Sequence, residues 1–581
     1  MILPGLLKRG IELLMNGQSV SETKTQFHRI LFAGVAVAIP AFLVIFVLYP
    51  LASVLITSVY RQGAFDFSYF IQLLGGRHLH LLRNTLMITF SSTILAVMLG
   101  TILSLAVYRS RFPLRRLFHY TAILNMISPP FVSAIVFIML FGRRGLITNQ
   151  LLGLSVSLVG PQMIVVLQMI GNASIAYLVV SNVLMGLDRN LELSAMDLGA
   201  PPVRVFFTIT LPLLAPGLAA AGSLVFANVL ADFGTPILVG GGYRVLASEA
   251  YIQILSNYNL GYAATISVLL LFLSVWAFGL ERFVLRQKLY YSTNVAERIK
   301  DQKSAGHRKI PFSPLVIGVA SLFFLIVVIQ FAAVIAGAFT SVWGYDYTLS
   351  LRHFERAGSQ LFSSLNNSLY FAIRVALLGP LLGVTAAYFH QHAWKIWKSL
   401  LNFLALVPFA VPGTVMGISY VMAFHRPPLQ FTGTAAIIIL ICIVRELPIS
   451  YNSAKAVLKQ VASNLEEASR DLGASAWTTF SRVIIPILAP AYRAGMLHGF
   501  IHVMITIGAI IFLITPRYVT ITFEIFRAVN SGRLGEGAAY AFILTVFTAL
   551  GLIALTLLWS LPGYLKKALA RFQALGKDER S

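Results

Sequence analysis

The chain has 581 residues, of which 57% are apolar and only 11% are charged, and its net charge is +23. A soluble domain has roughly 25% charged residues, so this composition excludes a soluble, disordered or disulfide-rich protein and predicts an integral membrane protein. The single cysteine, Cys442, lies in an apolar run, which excludes an internal disulfide and a cysteine-based metal cluster.

Membrane spans are the first elements that the sequence predicts. A bilayer core about 30 Å thick needs about 20 mostly apolar residues per helix. Windows of that length predict twelve spans, near residues 31–59, 84–108, 118–142, 157–182, 213–239, 263–286, 312–341, 368–390, 399–424, 433–451, 487–515 and 538–562. The first apolar run is too long for a signal peptide, so we expect it to remain as a span.

Lysine and arginine residues indicate the orientation of the chain. They are concentrated before residue 30, at 109–116, at 282–309 and in the C-terminal tail. This pattern predicts that both termini are cytoplasmic. The net charge is then mainly a topology signal, so we expect contact with membrane lipid and no nucleic-acid partner.

The chain contains an internal repeat. The segment LELSAMDLGA at 191–200 returns as LEEASRDLGA at 465–474, and PLLAP at 212–216 returns in the same register as PILAP at 486–490. Glu249 matches Glu524 one position off that register, and Asn84 matches Asn367 after a small insertion. Six spans per half is an even number, so the halves are parallel repeats related by a pseudo-twofold axis along the membrane normal.

The predicted fold is therefore all-α, with twelve transmembrane helices in two parallel six-helix repeats. The predicted domains are a cytoplasmic segment, a first transmembrane domain, a cytoplasmic linker, a second transmembrane domain and a cytoplasmic tail, at 1–30, 31–286, 287–311, 312–563 and 564–581. A pathway on the pseudo-twofold axis is the expected shared site.

Each half has one copy of the repeated motif between its fourth and fifth predicted spans; we call residues 191–212 the first elbow and 465–486 the second elbow. Good helix formers precede Gly473, which suits a left-handed position that ends a helix. A second short helix then begins, with Pro201 and Pro202 in its first turn in one elbow and Ser475 as its N-cap in the other.

The second short helix of each elbow has large apolar side chains. These are Val203, Phe206 and Phe207 in the first elbow, and Trp477 and Phe480 in the second. If exposed, they suit docking into a groove of another protein; packing under the helical bundle is the alternative interpretation.

The elbows resemble the cytoplasmic loop of permease subunits of ATP-binding cassette importers, whose pattern is Glu-Ala-Ala-x3-Gly-x9-Ile-x-Leu-Pro. The second elbow has Glu467, Gly473 and Pro486 at the matching positions, and the first has Gly199 and Pro212. The resemblance implies the fold of type I importers, a location in the bacterial inner membrane, two separate cytoplasmic ATPase subunits that dock on the loops, an extracytoplasmic solute-binding protein and no cofactor.

The coupling residues implied by this resemblance are Glu192, Asp197, Gly199, Phe206 and Pro212 in the first elbow, and Glu467, Asp471, Gly473, Trp477, Phe480 and Pro486 in the second. Leu193 stands where the pattern has glutamate, with Glu192 beside it, so the first elbow departs from the pattern at this carboxylate. The sequence has no Gly-x4-Gly-Lys-Ser/Thr motif, so we expect ATP hydrolysis in a separate subunit and no enzymatic activity in this chain.

Polar residues within spans are candidates for the pathway, because such groups usually face a bundle interior or an aqueous path. The candidates are Asn125, Asn172, Asp232, Arg445 and Glu446. For Arg445 and Glu446, a local ion pair near the cytoplasmic headgroups is the equal alternative. Prolines in the third span of each half would break the helices beside the pathway or kink them.

The segment ADFGTP at 231–236, followed by three glycines, resembles the fused permeases of ferric-iron importers, and FGRRGLI at 141–147 has the same likeness. Ferric iron is therefore the favoured solute. The lineage also includes permeases for phosphorylated sugars, aminoethylphosphonate, thiamine and polyamines, which stay as alternatives. His78 and His80 are predicted to be unliganded loop residues, and no metal site is predicted.

Two other classes of protein are less consistent with the sequence. A secondary transporter with the major-facilitator architecture also has twelve spans in two parallel halves. Such a transporter needs ion-coupling groups in its core, and Asp232 and Glu446 are the only candidates for that role. A membrane-embedded enzyme needs a nucleophile–base or metal-ligand motif, and the sequence contains none.

Overall fold

The computed structural model describes residues 34–286 and 313–578, apart from positions 62, 77, 111, 130, 155, 157, 394 and 461–463. The predicted N-terminal segment 1–30 and linker 287–311 lie outside the described residues. The predicted tail begins inside the last helix, which continues to Asp578.

The described part of the first repeat is helical apart from one short hairpin. Its elements are α1 (Gly34–Val59), β1 (Tyr60–Arg61), β2 (Ala64–Phe65), α2 (Ser68–Leu74), α3 (Leu79–Tyr108), α4 (Arg115–Ile127), α5 (Val132–Phe141), α6 (Pro161–Gly186), α7 (Arg189–Asp197), α8 (Pro202–Val205), α9 (Leu211–Leu230), α10 (Gly234–Val239), α11 (Leu246–Leu255) and α12 (Leu260–Arg286). Single π-helical turns occupy Val44–Leu48, Leu146–Leu151 and Phe206–Thr210.

The second repeat has a similar order of elements, but a single kinked helix stands in place of α2 and α3, and turns stand in place of α10. Its elements are α13 (Ser313–Phe339), β3 (Thr340–Val342), β4 (Asp346–Leu349), α14 (Arg352–His392), α15 (Lys395–Ala410), α16 (Gly413–Ala423), α17 (Ala435–Gln460), α18 (Asn464–Asp471), α19 (Ala476–Thr479), α20 (Ile485–Ile487), α21 (Ala489–Ile505), α22 (Ile521–Asn530) and α23 (Leu534–Asp578). A π-helical turn occupies Phe480–Ile484.

Among the described residues, ten helices are long and apolar enough to cross a membrane, and the number rises to twelve if each of two bent helix pairs is one span. The pairs are α15 with α16, bent by 113°, and Ala476–Ile487 with α21, bent by 63°. The all-α class with ten to twelve spanning helices agrees with the prediction.

The predicted third spans are broken at prolines rather than mildly kinked. In the first repeat the predicted span 118–142 is divided into α4 and α5 by a stretch that includes Pro129. In the second repeat Pro412 is the N-cap of α16, immediately after the sharp bend. A proline has no backbone N–H to continue the helical ladder, and its ring clashes with the preceding turn.

The fifth spans end earlier as helices than the sequence predicts. The predicted span 213–239 forms α9, which ends at Leu230, and a separate short helix α10. The predicted span 487–515 forms α21, which ends at Ile505 and is followed by turns. In the first repeat the side chain of Asp232 accepts hydrogen bonds from the backbone of α10 and so separates the two helices.

Each repeat has an antiparallel hairpin directly after its first helix. Tyr60 pairs with Phe65 in one hairpin, and Thr340 pairs with Leu349 in the other, which has a bulge. In each hairpin region the side chain of an aspartate accepts a hydrogen bond from the backbone N–H two residues later. Asp66 accepts from Ser68 at 2.8 Å, and Asp346 accepts from Thr348 at 3.0 Å. These hydrogen bonds hold the pKa of both carboxyls below the usual value.

The repeats also share long-range contacts that sequence matching alone does not provide. The Asn84 side chain donates to the Arg244 carbonyl at 3.1 Å, and Asn367 donates to the Arg517 carbonyl at 3.1 Å. The residue after each asparagine has a hydroxyl group that accepts a hydrogen bond from the first backbone N–H of a helix. Thr85 accepts from Leu246 of α11, and Ser368 accepts from Ile521 of α22. The duplication is therefore preserved in the tertiary contacts.

Contacts between Cα atoms divide the chain into two compact units that do not follow the repeat boundary. The larger unit contains residues 50–371, 410–438 and 501–581. In its core, α13 of the second repeat packs against α3, α4 and α5 of the first, for example through Phe118 and Phe324, whose ring centroids are 6.2 Å apart. The first helix of the second repeat thus completes the first repeat.

The smaller unit contains the described residues up to Tyr49 together with 372–409 and 439–500. Its helices α14, α17 and α21 approach closely at Ser450, where a Cβ atom on Gly383 or Gly495 would collide with the serine side chain. Small residues at such crossings let membrane helices pack backbone to backbone.

Candidate coupling elbows and translocation site

The first elbow is built from two short helices separated by a glycine. Asp188 caps α7 by accepting from the Asn190 N–H at 2.9 Å, and Gly199 ends this helix with φ at +86°. Pro201 is the N-cap of α8, and Pro202 is its first residue. Glycine adopts the left-handed conformation without the steric cost that a Cβ imposes, so this position sets the angle between the helices.

The second elbow has the same construction. Gly473 has φ at +79°, and the Ala474 N–H donates to the Ser469 carbonyl at 3.0 Å across the turn. The Ser475 side chain accepts from the Thr478 N–H at 3.2 Å and caps α19. The left-handed position of Gly473 and the N-cap role of Ser475 are therefore confirmed.

A carboxylate connects the first elbow to the preceding helices. Glu192 accepts from the Thr210 hydroxyl at 2.8 Å and lies 3.4 Å from the Arg109 guanidinium, whose side chain is 5% exposed. Burial lowers the pKa of this guanidinium, and the charge of Glu192 opposes that effect. Because Glu192 points to the bundle, it braces the elbow.

The corresponding brace in the second elbow uses a histidine. His392 Nε2 and Glu466 Oε2 are 2.8 Å apart. Glu466 corresponds to Glu192 in the register of the two elbows, and His392 corresponds to Arg109 in the register that relates Asn84 to Asn367. Sequence reasoning missed this pair, although the two registers of the repeat would have identified it.

The predicted coupling residues differ in exposure. Asp197, Gly199, Pro212, Glu467, Asp471, Gly473 and Pro486 are exposed, and Glu192, Phe206 and Trp477 are half-buried. Phe480 is buried and packs on Tyr388, with ring centroids 4.8 Å apart. The expectation that Phe480 is exposed on the elbow was wrong, because its ring packs against Tyr388 and Phe389 of α14.

Two leucines project from the elbows further than the predicted aromatic residues. Leu198 is 89% exposed and Leu472 is 88% exposed, and they are equivalent residues of the repeat. Each directly precedes the left-handed glycine of its elbow. An apolar side chain that is this exposed at both copies of a rigid turn suits burial in a partner protein.

In the first repeat, the asparagine candidates for the pathway connect helices. Asn125 is buried and donates to the Ile170 carbonyl at 3.1 Å and to the Ser174 hydroxyl at 2.9 Å. The Asn172 side chain accepts from Asn228 of α9 at 2.6 Å. Asn125 therefore joins α4 to α6, and Asn172 joins α6 to α9.

Asp232 has a well-defined set of donors. One carboxylate oxygen accepts from the N–H groups of Gly234 and Thr235 at 3.0 and 3.1 Å, and the other accepts from the Gln168 side chain at 2.9 Å. Ser92 in turn donates to Gln168 at 2.9 Å. The carboxylate thus fixes the start of α10 and the orientation of the neighbouring Phe233.

In the second repeat, Glu446 is a buried carboxylate whose side chain is 3% exposed, and it lies 2.8 Å from His498 Nδ1 of α21. It is about 16 Å from the start of α17 and about 21 Å from its end, because this helix continues beyond the predicted span to Gln460. Arg445, beside it, is half-buried. Glu446 is the repeat equivalent of Asn172, and each side chain is joined to the fifth-span helix of its own repeat.

On the side of the bundle opposite the first elbow, α11 and α22 each contain a buried glutamate. Glu249 has local partners: it accepts from Gln253 at 2.7 Å and pairs with Arg244 at 3.3 Å. Glu524 pairs with Arg527 of its own helix and accepts from Gln360 of α14 at 3.0 Å, so it joins α22 to α14. Sequence matching detected these two glutamates but not their partners.

His78 bonds to the Tyr262 hydroxyl, with the two atoms 2.9 Å apart. Within the described ranges, no group of three or more His, Cys, Asp or Glu side chains is arranged to hold a metal ion.

Comparison with known proteins supports both the repeat and the class of protein. The family model described as "Binding-protein-dependent transport system inner membrane component" matches twice, at residues 94–288 and 379–561. The ferric transport system permease protein FbpB of Actinobacillus pleuropneumoniae is 31% identical over 530 residues, which cover 88% of this chain and 76% of that protein.

Two further relatives are similar to this chain. The "Putative ferric transport system permease protein FbpB 1" of Haemophilus influenzae is 30% identical, over 81% of this chain and 76% of that protein. The "Putative 2-aminoethylphosphonate transport system permease protein PhnV" of Salmonella typhimurium is 26% identical over 40% of this chain and 89% of its own length. The predicted resemblance is confirmed: the chain belongs to the family of inner-membrane components of binding-protein-dependent transport systems.

Proposed function

We propose that this chain is the permease subunit of an ATP-binding cassette importer for ferric iron. The family match and the relatives of ferric transport systems support this function more than a secondary transporter. The observation that supports coupling to an ATPase most directly is the pair of elbows, each with a left-handed glycine, an exposed leucine and a carboxylate brace. In this proposal one ATPase subunit docks on each elbow from the cytoplasm, and both termini lie on that side.

The proposed division of labour assigns ATP hydrolysis to the two ATPase subunits and solute delivery to an extracytoplasmic binding protein. Closure of the ATPase dimer moves the elbows, and the braces Arg109–Glu192 and His392–Glu466 transmit that movement to the helices of the permease domains at 31–286 and 312–563. Because Glu192 serves as a brace, the ATPase contact of the first elbow is assigned to Leu198 and Asp197.

The pathway in this proposal includes Glu446. Its position in the middle of the fourth-span helix of its repeat favours a pathway role over an ion pair at the headgroups. A carboxylate offers hard oxygen atoms, which suit a trivalent cation.

Transport in vesicles tests the function. The permease is reconstituted with its cognate ATPase and binding protein, and ATP-dependent uptake of radioactive ferric iron is measured. We expect uptake that requires both ATP and the binding protein. Uptake of 2-aminoethylphosphonate in place of iron would support the function suggested by the phosphonate relative, and uptake driven by an ion gradient without any ATPase would contradict both.

The exposed leucines provide a test of docking. We expect the double variant Leu198→Asp/Leu472→Asp to bind the ATPase about 10–100-fold more weakly, because burying one leucine side chain stabilises a complex by about 1.5–3 kcal/mol. Affinity is measured by titrating the ATPase onto the detergent-solubilised permease. A matched control is Leu349→Asp/Leu351→Asp, which changes two exposed leucines at and just after β4, outside the elbows and outside the apolar part of α13. Equal affinities of the elbow variant and the unaltered permease would exclude these leucines from the interface.

A further inference from the structure

Two aromatic residues occupy the same position in the two repeats and touch each other. Tyr251 on α11 corresponds to Phe526 on α22 in the register that also relates Glu249 to Glu524. Their ring centroids lie 5.9 Å apart and the rings are nearly perpendicular, at 80°. This edge-to-face arrangement is favourable for aromatic pairs.

Symmetry determines where this contact lies. A twofold rotation moves a side chain onto its equivalent, so equivalent side chains that touch each other must lie next to the rotation axis. A pathway formed equally by two parallel repeats runs along the same axis. Tyr251 and Phe526 therefore lie on the line that a solute has to follow.

Other aromatic rings pack around this pair. Phe233 stacks on Tyr251 with centroids 5.0 Å apart and is also 5.7 Å from Phe526. Phe131 lies 5.3 Å from Phe526, and Phe512 lies 6.3 Å from Tyr251. Phe131, Phe233 and Phe526 are each 3% exposed or less. Rings from both repeats thus form a dry apolar cluster at the axis.

The cluster lies at the opposite end of the bundle from the first elbow. The 20 residues of α9, about 30 Å in length, separate the elbow from the segment that contains Phe233. Asp232 fixes that segment through the start of α10 and through Gln168. On the other side, Glu524 joins the helix of Phe526 to α14 through Gln360.

We propose that Tyr251 and Phe526 form a hydrophobic gate that closes the translocation pathway at the end opposite the first elbow, and that these rings separate whenever a solute enters. An apolar constriction at the axis blocks hydrated ions because they cannot shed water there. The gate rests on the proposed function as a permease, but it does not depend on which solute is transported.

A reversible crosslink tests the gate. In a Cys442→Ala background, Tyr251→Cys/Phe526→Cys is joined with a thiol-cleavable bifunctional reagent in the complete permease–ATPase complex. We expect crosslinking to lower both ATP turnover and ferric-iron uptake at least about tenfold, and reduction of the reagent to restore them, because the cycle requires gate opening.

The matched control is Phe339→Cys/Phe354→Cys, whose rings are 5.2 Å apart within the second repeat. Crosslinking this pair is expected to leave ATP turnover unchanged. Undiminished turnover of the crosslinked gate pair, or a gate pair that fails to crosslink while the control pair does, would overturn the gate. If crosslinking the gate pair lowered ATP turnover while neither the unaltered permease nor any variant took up iron, the result would support the gate and reject iron as the solute.

A second variant addresses the gate without a reagent. Tyr251→Ala/Phe526→Ala removes contacts of the closed state, so we expect ATP turnover without binding protein to rise about fivefold or more. Phe272→Ala, at a residue that is 64% exposed on α12, is the control for loss of an aromatic ring. Unchanged basal turnover in the gate variant would contradict the proposal.

Discussion

Gly473→Pro is expected to abolish ATP-driven transport while the permease still inserts into the membrane. Gly473 has φ at +79°, whereas a proline ring fixes φ near about −65°, so the variant cannot keep the angle between α18 and α19. The exposed Leu472 and the brace at Glu466 would then no longer be presented together. We expect uptake to fall at least about 100-fold, a loss of about 2.7 kcal/mol in coupling, and the amount of ATPase that co-purifies to fall, because only the first elbow still docks a subunit.

Gly473→Asn is the matched control, because asparagine tolerates the left-handed conformation better than other residues with a side chain. It is expected to retain most of the uptake and normal co-purification. The equivalent pair of changes at Gly199, which has φ at +86°, tests whether the elbows contribute equally. If Gly473→Pro co-purified normally with the ATPase, the docking role of the second elbow would be wrong.

Glu446→Ala is expected to lower both the stability of the purified permease and its iron uptake. The variant leaves His498 of α21 without the carboxylate that lies 2.8 Å from it. Removing one member of a buried charged or hydrogen-bonded pair typically costs about 3–5 kcal/mol, so we expect a clear fall in the thermal unfolding midpoint of the purified permease.

The double variant Glu446→Ala/His498→Ala separates the role in packing from the role in transport. It is expected to regain part of the stability, because the histidine that had faced the carboxylate is also removed, while iron uptake stays low. The variant Asn172→Ala is the control at the equivalent position of the first repeat. Recovery of uptake together with stability would show that Glu446 acts only in packing, and the pathway assignment would be abandoned.

The elbows could be predicted from the sequence because local rules determine them. A positive-φ glycine, a serine N-cap and a proline in a first helical turn are short-range features, and the repeat shows the same two-helix construction twice. The all-α class and the spanning helices follow from apolar runs for the same reason. The broken third spans were anticipated as one of two possibilities, because proline disrupts a helix wherever it lies.

Residue orientation could not be predicted in the same way. Phe480 was expected on the exposed face of its elbow, but its ring packs on Tyr388 of α14, a residue distant in sequence, and no local pattern indicates that contact. Asp232 was a candidate for the pathway, yet two backbone N–H groups and Gln168 satisfy its carboxylate. The contact between Tyr251 and Phe526 depends on the meeting of two helices from different repeats, which only tertiary structure reveals.

The packing of α13 against α3, α4 and α5 has a consequence for biogenesis. When the ribosome has completed only residues 1–286, the surface that α13 will cover is still open to lipid or to the insertion machinery. The first permease half therefore reaches its native packing only after the chain has passed through the connecting segment and inserted its seventh span. Joining both halves in one polypeptide supplies that helix at a fixed stoichiometry and high effective concentration, which two separate gene products would have to achieve by encounter in the membrane.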